Sequence, residues 1–387
     1  MTHQADSVIV QNSPAHLATQ WLLNSQIQNS GVNPKFKGGM HAWFDQEKRS
    51  YSFLYSEITG YSINAFLFFY DLLREERFLQ KAVEAARWLI EVAYQPKTGV
   101  RTRVGEDDGY FSTWTFTFDN WIVVYGLLNL YEIKNDPQYL QTALDIADFL
   151  LENVRLENGL FNPVYNIQTK KAEASYDKWS RQPGSFHAKS LFGLLKLFQI
   201  TKEKRFEEAA IRLVDAVLPI QQFDGRFITH NGSQSTLLHP HLYTLEGLAC
   251  FGFTYKDFRV IEAVQKGLEW ILNQQNSDGS VYCYFESGSY RPCVRVDTLA
   301  QTLRIGSILS LYGSSGFESS LDALRSCLVR YQINSGAQRG GFLYGQEENG
   351  QHHNHVNSWV SMFAAQALWL YDSFRPEKRT YLLSHFV

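Results

Sequence analysis

The sequence predicts an all-α fold: a ring of six helical hairpins, with short β-hairpins in the longer loops, spanning residues 1–387 as one domain. Three observations carry this expectation. A helix end runs into a glycine turn six times. Trp21–Gln26 leads to Gly38, Trp88–Gln95 to Gly99, Phe149–Asn153 to Gly159, Ile220–Gln222 to Gly225, Trp270–Gln275 to Gly279 and Leu328–Gln332 to Gly340. A unit recurring every roughly 50 to 70 residues marks helical hairpins that bury their apolar faces against their neighbours. The other two observations are an alternation of two kinds of helix and a contrast between two kinds of link.

The first kind of helix is amphipathic and is expected on the outside of the ring, at residues 14–28, 77–94, 137–154, 205–221, 258–275 and 317–332. Surface charges mark it, such as Lys81, Glu84 and Arg87 in the second and Glu207 and Arg212 in the fourth. The second kind begins near Glu57, Asp119, His187, Tyr243, Asp297 and Trp359 and is apolar on all sides, as in Trp121–Leu130 and Val360–Trp369. A helix enclosed by other helices should look this way. Small residues (Gly126, Gly193, Gly247, Ala364, Ala365) recur where inner backbones crowd towards the axis.

Links from inner to outer helices are short and polar, for example Arg74–Arg77 and Lys134–Asp136; links from outer to inner helices are long. Eight of the 11 histidines (His41, His187, His230, His239, His241, His352, His353, His355) lie in the long links or at the helix starts that follow. In a helical ring the long links share one face, so these histidines are expected around one mouth, where binding and catalysis usually sit. The inner helices also begin at that mouth, and their N-termini favour an anionic guest. Arg101, Arg103, Lys178, Arg181, Arg291, Arg295 and Arg339 belong to the same loops.

A net charge of -3 leaves no basic field for nucleic acid. No run approaches the ~18 apolar residues of a membrane span. Met1–Val10 has neither the basic nor the apolar region of a secretory leader, so the cytoplasm is the expected location. The four cysteines lack CxxC spacing and need no disulfide framework. With 27 Phe, 21 Tyr and 9 Trp, the chain has aromatic surface either for helix packing or for stacking on sugar rings. Oligomeric state is left open.

The candidate catalytic residues are Glu57, Asp119, His241 and Glu246, with Asp297 as a reserve carboxylate. Glu57 stands at the first inner helix, either as an acid/base or as a first-turn residue complementing the dipole. Asp119 opens the second inner helix beside Phe116, Phe118 and Trp121, which would desolvate it and raise its pKa; a plain cap is the alternative. In His239-Pro240-His241-Leu242-Tyr243, either His241 or Tyr243 is expected at the helix start, with Glu246 one turn below. The candidate binding residues are Trp43, Tyr61, Arg103, Asn120, His187, Tyr243, Arg295, His353 and Trp359. His352-His353-Asn354-His355 invites a metal reading, but lacks a clear acidic or cysteine partner; no metal and no cofactor is expected. Asp107-Asp108 lies between Gly105 and Gly109, a turn and not the helical DDxxD of a terpene synthase.

Gly38–Asp45 and Tyr55–Tyr61 resemble segments of bacterial proteins from polysaccharide gene clusters. Those share Gly-Gly-x-x-Ala-Trp-x-Asp and Tyr-Pro-Glu-Val-Thr-Gly-Tyr; Ser56 stands here where Pro is usual. The resemblance continues through Phe118–Asn120, Tyr243–Leu248 and Asn357–Trp359. Such proteins are similar to the helical domain of glucuronyl C5-epimerases and, more distantly, to six-hairpin glycosidases and N-acylglucosamine 2-epimerases. This implies an (α/α)6 toroid acting on carbohydrate. The expected function is cleavage of an anionic, uronic-acid-type oligo- or polysaccharide by hydrolysis or elimination. The alternatives are a sugar epimerase and a non-catalytic carbohydrate-binding or polysaccharide-maturation protein.

Overall fold

The computed structural model describes residues 12–29, 31, 33–104, 111, 113–286, 288–373 and 386–387. The Met1–Val10 and Asp107-Asp108 readings lie outside them. Twelve α-helices occur among the described residues: α1 (Pro14–Asn24), α2 (Ser56–Leu73), α3 (Glu76–Trp88), α4 (Thr117–Lys134), α5 (Pro137–Asn153), α6 (Leu191–Thr201), α7 (Lys204–Val217), α8 (Leu238–Tyr255), α9 (Phe258–Leu272), α10 (Val296–Leu311), α11 (Glu318–Val329) and α12 (Ser358–Ser373). The even-numbered helices pack in sequence around an axis, and α12 returns to α2. Each of α3, α5, α7, α9 and α11 packs on the inner helix before it, and α1 packs on α12. The fold is an (α/α)6 toroid. Patterning explains the two layers. Helix α7 buries Phe206, Ala209, Ala210, Leu213, Val214 and Val217, a single stripe, whereas α8 buries every residue from Leu238 to Gly252.

The sixfold turn has a mechanical meaning. Gln221 Nε2 donates to Gly225 O within its own turn and to Ala263 O of α9, both at 2.8 Å. Gln28, Gln275 and Gln332 make the same pair of bonds, each to its own glycine and to the following outer helix. The Gln332 bond reaches Pro14 O and so ties the last repeat to the first. Glycine is required at Gly225 on two counts: φ is +99°, and a Cβ would stand 2.3 Å from Lys266 O.

Short strands fix where the inner helices start. Leu54–Tyr55 pairs with Arg103–Val104, Trp114–Phe116 with Val164–Asn166, Thr236–Leu237 with Tyr284–Phe285, and Val294–Arg295 with Gly345–Gln346. These pairs stand immediately ahead of α2, α4, α8 and α10. Hairpins within one loop also occur, at Val164–Glu173 and Tyr284–Arg291 among others, alongside the pairing between neighbouring loops. Backbone groups leaving an outer helix find their partners there instead of in water.

One cysteine expectation is corrected. Cys283 and Cys293 are joined by a disulfide across the hairpin at Tyr284–Arg291, while Cys250 and Cys327 are free and buried. The ten-residue spacing hid a pair that the hairpin register brings together. Disulfides persist in oxidising compartments, which runs counter to the cytoplasmic expectation. Among the described residues no helix is long and apolar enough to cross a membrane.

Candidate active site

A cavity of about 260 Å³ opens where inner helices begin, and Glu57, Asp119, His239, Tyr243, Arg295 and Trp359 contribute to its wall. The strand pairs place these side chains. Glu57 is the second residue of α2, Asp119 the third of α4 and His239 the second of α8. Tyr55, Phe116, Leu237 and Arg295 at the caps of α2, α4, α8 and α10 make no side-chain cap bond, in contrast to Asp136 and Asp257 on outer helices. The first amides of these inner helices are taken instead by carbonyls of neighbouring loops: Ser56 N–H bonds Thr102 O, Thr117 N–H bonds Pro163 O, Leu238 N–H bonds Cys283 O and Val296 N–H bonds Tyr344 O.

Glu57 and Asp119 face the same space. Burial pushes the Glu57 carboxyl up to about 7, opposed by a hydrogen bond from Tyr55 and by the charges of Lys189 and Arg295. Asp119 is pushed well above the usual carboxylate range, first by burial and then by the charge on Glu57. Asp119 Oδ2 is buried and accepts no hydrogen bond from the protein. Two desolvated carboxyls that repel each other hold at least one proton at neutral pH.

Across the wall stands His239, whose Nδ1 lies 3.0 Å from Gln301 Oε1 and 3.2 Å from Asp297 Oδ2. Gln301 spends its amide N–H on Glu246 Oε2 at 3.3 Å, so its oxygen faces the imidazole. Nδ1 is therefore the protonated nitrogen, and Nε2 carries the lone pair. Burial lowers the imidazole pKa to about 4, which keeps the ring neutral at pH 7. Among cations on the wall, Arg103 is held between the rings of Phe53 and Phe111 at 3.8 and 3.9 Å, and Lys178 and Arg181 stand nearby. Trp179 meets His239 edge-on at 6.0 Å and supplies aromatic surface.

Several candidates lie elsewhere. His241 does not reach the cavity: Nδ1 accepts from Phe227 N at 3.1 Å and Nε2 bonds Gly267 O at 3.2 Å. The helix starts at Leu238, so His239 takes the rim and His241, two residues and about 200° further round, turns towards α9. His241 and Glu246 consequently do not form a pair. Replacing His241 with alanine is expected to cost ~1–3 kcal/mol by stranding a buried N–H and C=O, with turnover nearly unchanged. Urea denaturation beside a rate assay checks this.

Glu246 is fully buried between Lys189 and Arg304. Burial pushes its carboxyl up, but the two cations outweigh this and hold it below the usual range. Asp297 is likewise buried and held low, because Arg295, His239 and the Trp359 indole at 3.1 Å outweigh its desolvation. Both carboxylates are committed to partners within the protein. Arg295 lines the cavity with its guanidinium bound to Asp297.

Asn120 sits behind the wall, accepting from Val100 N and donating to Thr115 Oγ1 and Phe116 O. Tyr61 is buried edge-on to Phe363. His187 is buried against Phe186 at 4.1 Å. The face of Trp43 is covered by His355, 4.6 Å away and nearly parallel. His353 lies on a neighbouring pocket, and no group of three His, Cys, Asp or Glu placed to hold a metal ion occurs among the described residues. Of the eight histidines expected at one mouth, His239 alone lines the main cavity among the described residues.

Sequence reasoning placed His239 at the mouth but gave the catalytic role to His241, and it missed Gln301, Lys189 and Arg304. Their signal was present: a lysine and an arginine inside helices otherwise apolar on all sides need a buried counter-charge, and Glu246 was the carboxylate available.

No protein-family model matches the chain, and no curated protein matches it by sequence. Solved structures do. A sugar epimerase from a ruminal bacterium superposes with a TM-score of 0.76 at 10% identity, covering 93% of this chain and 97% of that one. A cellobiose 2-epimerase from Bacillus thermoamylovorans gives 0.73 at 14% identity, covering 89% and 94%. An unsaturated glucuronyl hydrolase from a Bacillus species, responsible for degradation of glycosaminoglycan, gives 0.63 at 14% identity, covering 92% and 96%. At these identities the likeness establishes the toroid alone.

Proposed function

We propose that this protein is a carbohydrate-active enzyme that hydrolyses a glycosidic bond of an anionic, uronic-acid-type oligo- or polysaccharide. The observation that carries the reading is the Glu57–Asp119 pair, two buried carboxyls in one cavity with both pKa values raised. Such a pair offers a proton donor and a proton acceptor at the same pH. The protonated member gives its proton to the glycosidic oxygen as the C–O bond breaks. The ionised member takes a proton from the water whose oxygen bonds to the anomeric carbon. Arg103 and Lys178 on the wall, with Arg181 beside them paired to Asp177, favour a sugar carboxylate. The sugar enzymes among the superposing structures support a carbohydrate substrate.

Epimerisation is the second reading, and His239 is the observation that favours it. A neutral imidazole with Nε2 unprotonated, oriented by Asp297 and Gln301, is suited to removing a proton from carbon. Turnover of uronic-acid glycans in deuterium oxide separates the two. Hydrolysis yields a new reducing end without deuterium on carbon; an epimerase incorporates deuterium at the inverted centre. Deuterium on carbon with the chain intact would overturn the hydrolytic reading. For hydrolysis, the acid limb of kcat/KM is expected near the Glu57 value of about 7 and not near an ordinary glutamate's ~4.3, with a fall at higher pH as Asp119 loses its proton. A pH–rate profile tests this.

A further inference from the structure

A second pocket of about 510 Å³ adjoins the main cavity, with Arg295 in the wall of both. The Glu57–Asp119 chemistry makes no use of it. Its size falls within the ~300–1,000 Å³ usual for small-molecule sites. The Cys283–Cys293 disulfide forms one side. The strand pair Val294–Arg295 with Gly345–Gln346 forms another, and His353 N–H bonds Gly345 O at 3.0 Å. Tyr344 joins the two spaces: the Arg295 guanidinium lies 5.1 Å from its ring, Trp359 of the main cavity meets it at 5.8 Å, and His353 meets it edge-on at 5.0 Å.

The charge differs from that of the main cavity. Arg295 is the cation on this wall, and its guanidinium is bound to Asp297; Glu347 and Glu348 stand beside His353. A sugar carboxylate would meet net negative charge here, whereas a neutral hydroxylated or N-acylated ring would meet Tyr344 and His353. We propose that this pocket is a second sugar subsite taking a neutral residue of a substrate at least two residues long, whose anionic residue occupies the main cavity. The proposal rests on the carbohydrate reading above and specifies its substrate as one that joins an anionic residue to a neutral one.

Calorimetry on the Glu57→Gln variant, which should bind without turning over, tests this with two probes: 4-nitrophenyl β-D-glucuronide, and a tetrasaccharide alternating glucuronate with N-acetylglucosamine. The tetrasaccharide is expected to bind ~10-fold more tightly than the glucuronide. Adding His353→Ala should remove most of that advantage and leave glucuronide affinity within about twofold. Tyr344→Leu, with its fold checked by thermal melting, should act in the same direction. Equal affinity for the two probes, or an advantage that survives both substitutions, overturns the subsite and leaves the anionic-sugar reading standing. Failure of both probes to bind overturns that reading and the subsite with it.

Discussion

Asp119→Asn and Glu57→Gln are each expected to lower turnover of an established substrate by ~100-fold or more, since each removes a proton-transfer group from the cavity. The same substitutions should make the protein more stable above neutral pH. In the unfolded chain a glutamate ionises near ~4.3, whereas burial holds Glu57 protonated up to about 7. Stability from the neutral folded-state carboxyl is complete below the unfolded value and is lost as pH rises through the folded one. Glutamine carries no such penalty. Glu57→Gln should therefore melt at a higher temperature than the wild type at pH 8, and the difference should vanish near pH 4. Asp119 shifts in the same direction, so Asp119→Asn follows the same sign. Loss of activity with gain of stability is the signature of a site that stores desolvated charge. Near-normal rates in both variants would remove the pair from the mechanism.

Glu246→Ala is expected to cost ~3–5 kcal/mol of folding stability, the scale of a buried pair broken by loss of one partner. Lys189 and Arg304 would be left facing each other with side chains 2% and 0% exposed. Burial already lowers the Lys189 pKa to about 8 against the pull of Glu246, so without that carboxylate Lys189 should lose its proton near neutrality. Glu246→Gln keeps a hydrogen-bonding group of the same shape and should cost less. A catalytic effect is expected too, because Glu246 fixes the Gln301 amide that orients His239. If His239 acts in turnover, kcat should fall in Glu246→Gln even where the protein is fully folded. Urea unfolding with a rate assay on the folded fraction separates these effects. A loss below ~1 kcal/mol in Glu246→Ala would mean that the cations find other partners.

The ring was legible because both of its signals are local. An amphipathic stripe such as Phe206–Val217 and an all-round apolar helix such as Leu238–Gly252 announce outer and inner layers without reference to the rest of the chain. Glu57 and Asp119 were legible as well, since each stands in the first turn of an inner helix among aromatic neighbours. His241 shows where this stops. Its chemistry suited a catalytic role, but a difference of three to five residues in the helix start changes which histidine looks inward. That start is set at Leu238 by the pairing of Thr236–Leu237 with Tyr284–Phe285, almost 50 residues away.

By itself, then, the sequence determined the hairpin repeat, the two layers and the face on which the inner helices begin, because periodicity and turn chemistry act over a few residues. Only the tertiary structure decided which charged groups are spent on one another. Glu246 is taken by Lys189 and Arg304 from two other inner segments, and Asp297 by Arg295 and Trp359. Glu57 and Asp119 keep their reach into the cavity, and their raised pKa values, because burial exceeds the counter-charge there. That balance depends on distances between helices, and no pattern within a single helix encodes it.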